Sequence, residues 1–392
     1  MSTFAVEVRK IGTIIPHPNA DRLDIATVEG MAFQFVVGKG NFVPGDYCVY
    51  FPLDSILPDP LCEGLGFAGK LSGPGKNRVK SIRLRNEVSQ GLAVPLSALF
   101  DIGEREGKLW IDKDNPRFAP RVLPTVLVEV NDNLVGLDLT ELLGVRKYEP
   151  VPIPCYAGNL VPLPDGQEVY DIEGSDRFPS VAQELIEKKI PVRILEKVEG
   201  TNFSITASVT GDVWVCQRNN AIEELQGGGK ENMFWRVARK QGLTDLIKSL
   251  LDHHKLHIPG LDKVILRGEL IGPGIQQNIY ALKDTRVVLF DLATVTQFGR
   301  RTYRNWEPFK EDLARFNALN QLAPVIAENV LLDVWLAGRS LREASHGPSA
   351  LNPSHLREGI VITPMEETHS EALGGRLIIK QRDPIYLDKA DC

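Results

Sequence analysis

The sequence predicts an α+β protein in two parts: a small N-terminal β-barrel domain over residues 1–150, then a domain of mainly antiparallel strands with helices over residues 165–392. Three observations predict it. At 392 residues the chain exceeds one ordinary core. Its first fifty or so residues read as short alternating strands broken by turn residues. Beyond a proline-rich stretch holding Pro150, Pro152, Pro154, Pro162 and Pro164, buried strands mix with helical periodicity. That stretch reads as an interdomain linker.

Composition narrows the function classes. Hydrophobic residues make up 43% and charged residues 24%, the balance of a soluble globular chain. Net charge is -6, so any nucleic-acid contact must come from a local basic patch. Cys48, Cys62, Cys155, Cys216 and Cys392 are scattered without a C-x-x-C pair, which fits a reducing cytoplasm and argues against a zinc site. The N-terminus shows no basic-then-apolar leader, and no run suits a membrane span. A cytoplasmic monomer with no membrane partner is the expectation.

In the first domain, strands are expected at 6–8, 13–15, 23–28, 33–37 and 47–51, a spacing that suits a small barrel. The stretch His17-Pro18-Asn19-Ala20-Asp21-Arg22-Leu23 resembles the opening of the tRNA-binding OB-fold appended to some tRNA synthetases. Arg78 to Arg85, followed by Ser89-Gln90-Gly91-Leu92, resembles that fold's final strands. Alternation predicts Ile82 and Leu84 inward and Arg83 and Arg85 outward. Lys76, Arg78, Lys80, Arg83 and Arg85, with no acid among them, are the candidate nucleic-acid patch. A solvated edge strand guarded by cations is the bland reading of the same residues. His17, flanked by Pro16 and Pro18, is expected to support its loop. Residues 122–130 and 137–139 read as further strands of unassigned function.

In the second domain a helix is expected from Pro179 to Lys188 and another from about Asn232 to Leu251. His253, His254 and His257 lack a completing acid or cysteine and are not taken as metal ligands. Gly227-Gly228-Gly229 lacks the Gly-Lys-Ser/Thr of a phosphate loop and reads as a connection. The organising stretch is Glu196-Lys197-Val198-Glu199-Gly200-Thr201-Asn202-Phe203, a lysine in a tight turn between two strands. A strand end holds its side chain firmly, and the glycine permits close approach.

Lys-x-x-Gly in that setting resembles motif I of the covalent nucleotidyltransferases, the ATP-dependent ligases and capping enzymes; the longer string resembles an RNA ligase. Five further stretches carry the resemblance in order. Arg218 matches motif Ia. Gly268-Glu269-Leu270-Ile271-Gly272-Pro273-Gly274-Ile275-Gln276 is similar to RNA ligase 2-type enzymes. Phe290, Glu358, and Lys380 with Arg382 match motifs III, IV and V. The resemblance covers most of residues 190–385 and implies an adenylation domain, ATP-grasp-like and shared by DNA and RNA ligases. It implies that Lys197 is the nucleophile. Glu196, Glu199, Asn202, Arg218, Glu269, Phe290, Lys380 and Arg382 would bind the nucleotide, Glu269 through the ribose and Phe290 by stacking on adenine. Glu358 would serve a metal ion.

The implied activity is an ATP-dependent, AMP-forming RNA ligase. It would form lysyl-AMP, use Mg²⁺ or Mn²⁺, and join 3'-OH to 5'-phosphate ends in an RNA or RNA/DNA nicked duplex. Glu199 stands where relatives have histidine or aspartate, and Arg382 where lysine is usual, so the roles of both are open. The few residues after Arg382 leave no room for a further domain there. An OB-like domain before the catalytic core instead resembles the Deinococcus-type RNA ligases. Two other readings stay open: a non-catalytic RNA- or tRNA-binding protein with a degenerate nucleotidyltransferase domain, and capping-type guanylyl transfer or DNA ligation.

Overall fold

Alternating apolar residues near the N-terminus build a five-stranded antiparallel sheet. Its order is Gln34–Gly38, Leu23–Val28, Glu7–Pro16, Tyr47–Phe51 and Leu92–Pro95. The computed structural model describes residues 4–31, 33–148, 159–225 and 229–390. They fall into two units, Thr3–Val151 and Pro152–Cys392. Pro150, Pro152, Pro154, Gly227, Gly228, Cys155 and Cys392 lie outside the described residues.

In the first unit, the two strands expected at 6–8 and 13–15 are one strand, Glu7–Pro16. Its register shifts between Ile11 and Ile14. The bulge lets one strand pair with Tyr47–Phe51 at one end and with Leu23–Val28 at the other. Gln34 ties the far edge round: the Gln90 amide donates to its carbonyl at 2.9 Å and its side chain donates to the Val88 carbonyl at 3.0 Å. The stretches left unassigned between 101 and 150 belong to this unit's core. Leu134, Leu139, Leu143 and Val145 are buried with Val6, Val8 and Val49. Of residues 122–130 only Leu127–Glu129 is a strand, and Val122 is 90% exposed.

The basic hairpin departs from expectation. Ile82–Leu84 pairs only with Glu87–Ser89, and Ile82 is 44% exposed rather than in the core. Arg85 and Asn86 take φ of 50° and 76° and turn the hairpin tightly. His17 does support a loop. The Asn19 amide donates to its Nδ1 at 3.1 Å, which leaves Nε2 to donate to the Leu84 carbonyl at 3.0 Å.

The second unit has two main sheets. The seven-stranded antiparallel sheet runs Leu160–Pro162, Asn220–Ile222, Val213–Cys216, Thr201–Ser208, Leu261–Ile271, Arg286–Thr296 and Arg301–Tyr303. Pro162, expected in the linker, ends its edge strand, where a missing N–H is tolerated. The five-stranded sheet runs Glu173–Gly174, Ile379–Arg382, Gly359–Pro364, Val192–Lys197 and Val325–Val330. The helix Pro179–Glu187 buries Val181 and Leu185 with Val192 and Ile194 on one face of this sheet.

The helix expected from 232 to 251 is two helices, Met233–Lys240 and Leu243–Lys255. Asn232 caps the first by accepting from the Phe234 amide at 2.8 Å. Gly242 breaks the pair with φ 71°, a conformation the apolar periodicity does not reveal. Both helices bury their apolar faces in the core that includes Phe203, Ile205 and Leu266. His254 is also buried, with Nε2 3.1 Å from Asp312, and among the described residues no group of three or more metal-ligating side chains forms.

A Cβ at Gly242 would meet nothing within 4 Å, so an alanine there carries only the conformational cost. Gly242→Ala should therefore lower the unfolding free energy by about 1–2 kcal/mol. In a urea titration the midpoint should fall with the slope unchanged.

Candidate active site

The turn after Lys197 is where the chain leaves one sheet and enters the other. Val192–Lys197 belongs to the five-stranded sheet and Thr201–Ser208 to the seven-stranded one. Alternation along the lysine strand sorts its residues. Val192 and Ile194 pack on the helix side, whereas Leu195 joins the core of the seven-stranded sheet. Lys197 shares the side of Leu195, in the space between the sheets.

Glycines set the close approaches. A Cβ on Gly200 would lie 2.6 Å from Cγ of Glu269 and 2.6 Å from the Leu270 carbonyl oxygen. The absent side chain is what allows the Glu269 strand to pass against the turn. Gly359, with φ 154°, would place a Cβ 2.1 Å from the Gln381 carbonyl oxygen. It pairs with Lys197 on one side and Arg382 on the other. The strands bearing Lys197, Glu358 and Arg382 thus end in one row.

The chemistry converges there. Lys197 Nζ lies 2.7 Å from Oε1 of Glu358, and both side chains are mostly buried. Glu269 stands opposite Asn202 in the sheet register. Burial pushes its carboxyl up to about 8; the nearby Lys197 and Lys380 oppose that rise and Glu358 adds to it. Burial also brings the Lys380 ammonium down to about 8, against the attraction of Asp171 and with the repulsion of Lys197 and Arg382. Arg218, two residues past its strand, binds Asp171 at 2.6 Å. Phe290 is half-buried and lies beside Tyr170, with ring centroids 5.6 Å apart and planes tilted by 30°.

Glu196 and Glu199 are placed differently. Glu196 is 3% exposed on the opposite side of its strand from Lys197. Its carboxylate accepts from the Ser349 hydroxyl at 2.6 Å and the Ala350 amide at 2.7 Å. It anchors the loop that leads to Glu358, and its side chain points away from the face that carries Lys197. Burial raises its pKa against those two hydrogen bonds. Glu199 accepts from the Gln277 amide at 3.0 Å and from the Tyr386 hydroxyl, while its own amide donates to Tyr280. It ties the lysine turn to the glycine-rich loop and to the helix Pro384–Ala390.

Sequence reasoning missed Tyr170, Asp171, Tyr280, Ser349 and Tyr386. They sit in irregular or terminal segments without a motif, and only folding brings them to the site. Within the first unit, the basic residues are also unequal. Arg78 is committed to Asp54 at 2.5 Å and lies 3.4 Å over the Tyr148 ring, so it does not extend as a free phosphate contact. Lys80 is half-buried, while Lys76, Arg83 and Arg85 are exposed.

The Glu269 carboxyl has a testable consequence. Its folded-state pKa is raised from 4.5 to about 8, so folding favours the protonated form. That contribution is full below about pH 4.5 and is lost as pH rises through about 8. Glu269→Gln copies the neutral form. Its thermal midpoint should equal that of wild type near about pH 4 and exceed it at about pH 8.5, by differential scanning calorimetry.

Comparison with known proteins follows the geometry. Residues 190–381 match the RNA ligase family model, and residues 5–96 match a model described as an OB-fold domain. No curated protein matches the chain. Among solved structures, the Naegleria gruberi RNA ligase is similar throughout. A lysine-to-alanine mutant of it with ATP and Mn aligns at TM-score 0.73 and 22% identity, covering 99% of this chain and 98% of that one. The same ligase with PPi aligns at TM-score 0.72 and 22% identity, covering 99% of each chain. A lysine-to-methionine mutant with AMP and Mn gives 0.72 and 23%, covering 98% of each. At such identity these alignments establish the shared fold. Taken with the family match, residues 190–381 are an RNA ligase domain, and residues 5–96 before them are an OB-fold domain.

Proposed function

We propose that the protein is an ATP-dependent RNA ligase that acts through a lysyl-AMP intermediate on Lys197 and seals nicks in duplexes bearing an RNA 3'-OH strand. The observation that carries the proposal is the convergence on Lys197 of Glu358, Glu269 and Lys380, contributed by both sheets of the RNA ligase domain. The similar Naegleria ligase was solved with ATP, AMP, PPi and Mn, which supports the same nucleotide and metal here. A Deinococcus-type enzyme is the finer assignment, resting on the order of OB-fold and ligase domains.

In the first step the Lys197 amine attacks the α-phosphate of ATP, and pyrophosphate leaves. Lys380 and Arg382 face the developing charge and stabilise it electrostatically. Glu269 takes the ribose hydroxyls and Phe290 the adenine face. AMP then passes to a 5'-phosphate, with Arg218 beside the nucleotide. Attack by the 3'-OH joins the strand and releases AMP.

No carboxylate cage closes among the described residues, but Glu358 lies beside Lys197 in the site. That fits a Mg²⁺ or Mn²⁺ ion held largely through water and phosphate, with Glu358 in its outer shell. Such an ion supplies charge neutralisation at the phosphate. The exposed Lys76, Arg83 and Arg85 of the OB-fold domain supply phosphate contacts to the substrate.

Incubation of the purified protein with ATP and Mg²⁺ or Mn²⁺ should add the mass of one AMP, and Lys197→Ala should abolish the gain. A folded wild-type protein that gains no mass with either ion overturns the proposal. For the OB-fold domain, Arg83→Ala with Arg85→Ala should weaken RNA binding. The slope of log affinity against log salt should fall by about 0.7 for each lost phosphate contact. Arg78→Ala should instead lower the melting temperature, because it breaks the Asp54 pair.

A further inference from the structure

Asp171 lies in a segment that crosses from one sheet of the ligase domain to the other. Upstream, the Gln167 side chain donates to the Ser204 hydroxyl at 2.9 Å and accepts from Thr206 at 2.6 Å, both on the seven-stranded sheet. Tyr170 lies against Phe290 of that sheet, with the Arg267 guanidinium 4.7 Å over its ring. Downstream, Glu173–Gly174 pairs in parallel with Ile379 and Lys380 of the five-stranded sheet, and the Ser175 amide donates to the Lys380 carbonyl at 2.9 Å. The segment is therefore pinned at both ends, with Asp171 between the pins.

Its two carboxylate oxygens reach cations from different sheets. Oδ2 lies 2.6 Å from Nη2 of Arg218, which follows a strand of the seven-stranded sheet. Oδ1 lies 3.5 Å from Nζ of Lys380, inside the five-stranded sheet, and also accepts from the Ile172 amide at 3.0 Å. The side chain is mostly buried, at 16% exposure, where a charge pair is less screened than on the surface. Lys380 is repelled there by Lys197 and Arg382.

We propose that Asp171 is a positioning residue of the adenylylation site: its carboxylate clamps Arg218 to Lys380 across the two sheets and holds both cations aimed at one anionic point. The inference rests on the ligase reading of Lys197 and extends it to a residue outside every motif. The clamp sets where the two cations stand before a phosphate arrives, so the site need not reorganise as charge develops. It acts on the rate through Lys380, without contact to the reacting atoms.

The groups facing Lys380 are Asp171, Glu173 and Glu269 on the acidic side, and Lys197 and Arg382 on the basic side. Removing Asp171 leaves the repulsion of the two cations less opposed. The first measurement is therefore the titration of Lys380 by NMR in protein labelled at the lysine side-chain carbons, with its resonance assigned through Lys380→Ala. Asp171→Asn should lower the Lys380 midpoint by about one pH unit or more, and Asp171→Glu, which keeps the charge, should restore most of it. The second measurement is lysyl-AMP formation. At saturating ATP, Asp171→Asn should slow it about tenfold or more with KM for ATP changed less than about threefold, a loss in the transition state rather than in binding. Added to Lys380→Ala, the same substitution should cost less than it does alone, the remainder being the release of Arg218.

A folded Asp171→Asn protein with an unmoved Lys380 midpoint overturns the inference, as do losses that multiply in the double variant. The two readings fail separately. Wild type that forms no lysyl-AMP refutes the ligase proposal, and the NMR titration still decides the clamp. Wild type that does form it, with Asp171→Asn at the same rate, refutes the clamp alone.

Discussion

Everything in the ligase domain turns on the chain changing sheets between Lys197 and Thr201. A crossing that short forces the two sheets to meet at the lysine, and it succeeds because Gly200 has no Cβ to collide with Glu269 and Leu270. The same device recurs at Gly359, whose missing side chain lets the Glu358 strand lie against the Arg382 strand. Close approach of backbones, rather than any single strong bond, gathers the polar side chains.

Those side chains form a set of paired charges, most of them largely out of solvent. Glu358 pairs with Lys197, and Asp171 with Arg218 and Lys380. Each pairing offsets the cost of removing a charge from water. The balance is incomplete at two groups, the carboxyl of Glu269 and the ammonium of Lys380, both brought to about 8 by burial. An acid and a base held near the same poise, beside a lysine, make a site whose charges a nucleotide can rearrange. A second layer holds the first: Glu196 fixes the loop before Glu358, and Glu199 fixes the glycine-rich loop and the helix Pro384–Ala390 to the lysine turn.

The motif residues were legible because they sit in or beside runs of alternating or buried residues, which declare themselves locally; Lys197 and Arg382 end their strands, whereas Phe290, expected at a strand end, lies in the middle of Arg286–Thr296. Glu196 shows the limit of that reading. It adjoins Lys197 in sequence, yet the pleat turns successive side chains to opposite faces, and Ser349 and Ala350 take it. Arg78 was read with the patch because no acid lies near it in sequence; Asp54 reaches it only across the folded domain. The long helix expected near residue 240 failed for a local reason. Apolar periodicity continues through Gly242, but the backbone there is left-handed.

Strand patterns and glycine positions are local properties, so the α+β class, the order of a small β domain before a ligase-like one and the candidate site residues could all be read before any fold was in view. Only the tertiary structure decided which of those side chains face the cleft, which are spent holding loops, and that Asp171 joins two sheets. Those outcomes depend on contacts between residues far apart in the chain: Asp171 with Lys380, Glu196 with Ser349, Glu199 with Tyr386. No local pattern encodes a partner that arrives from another sheet.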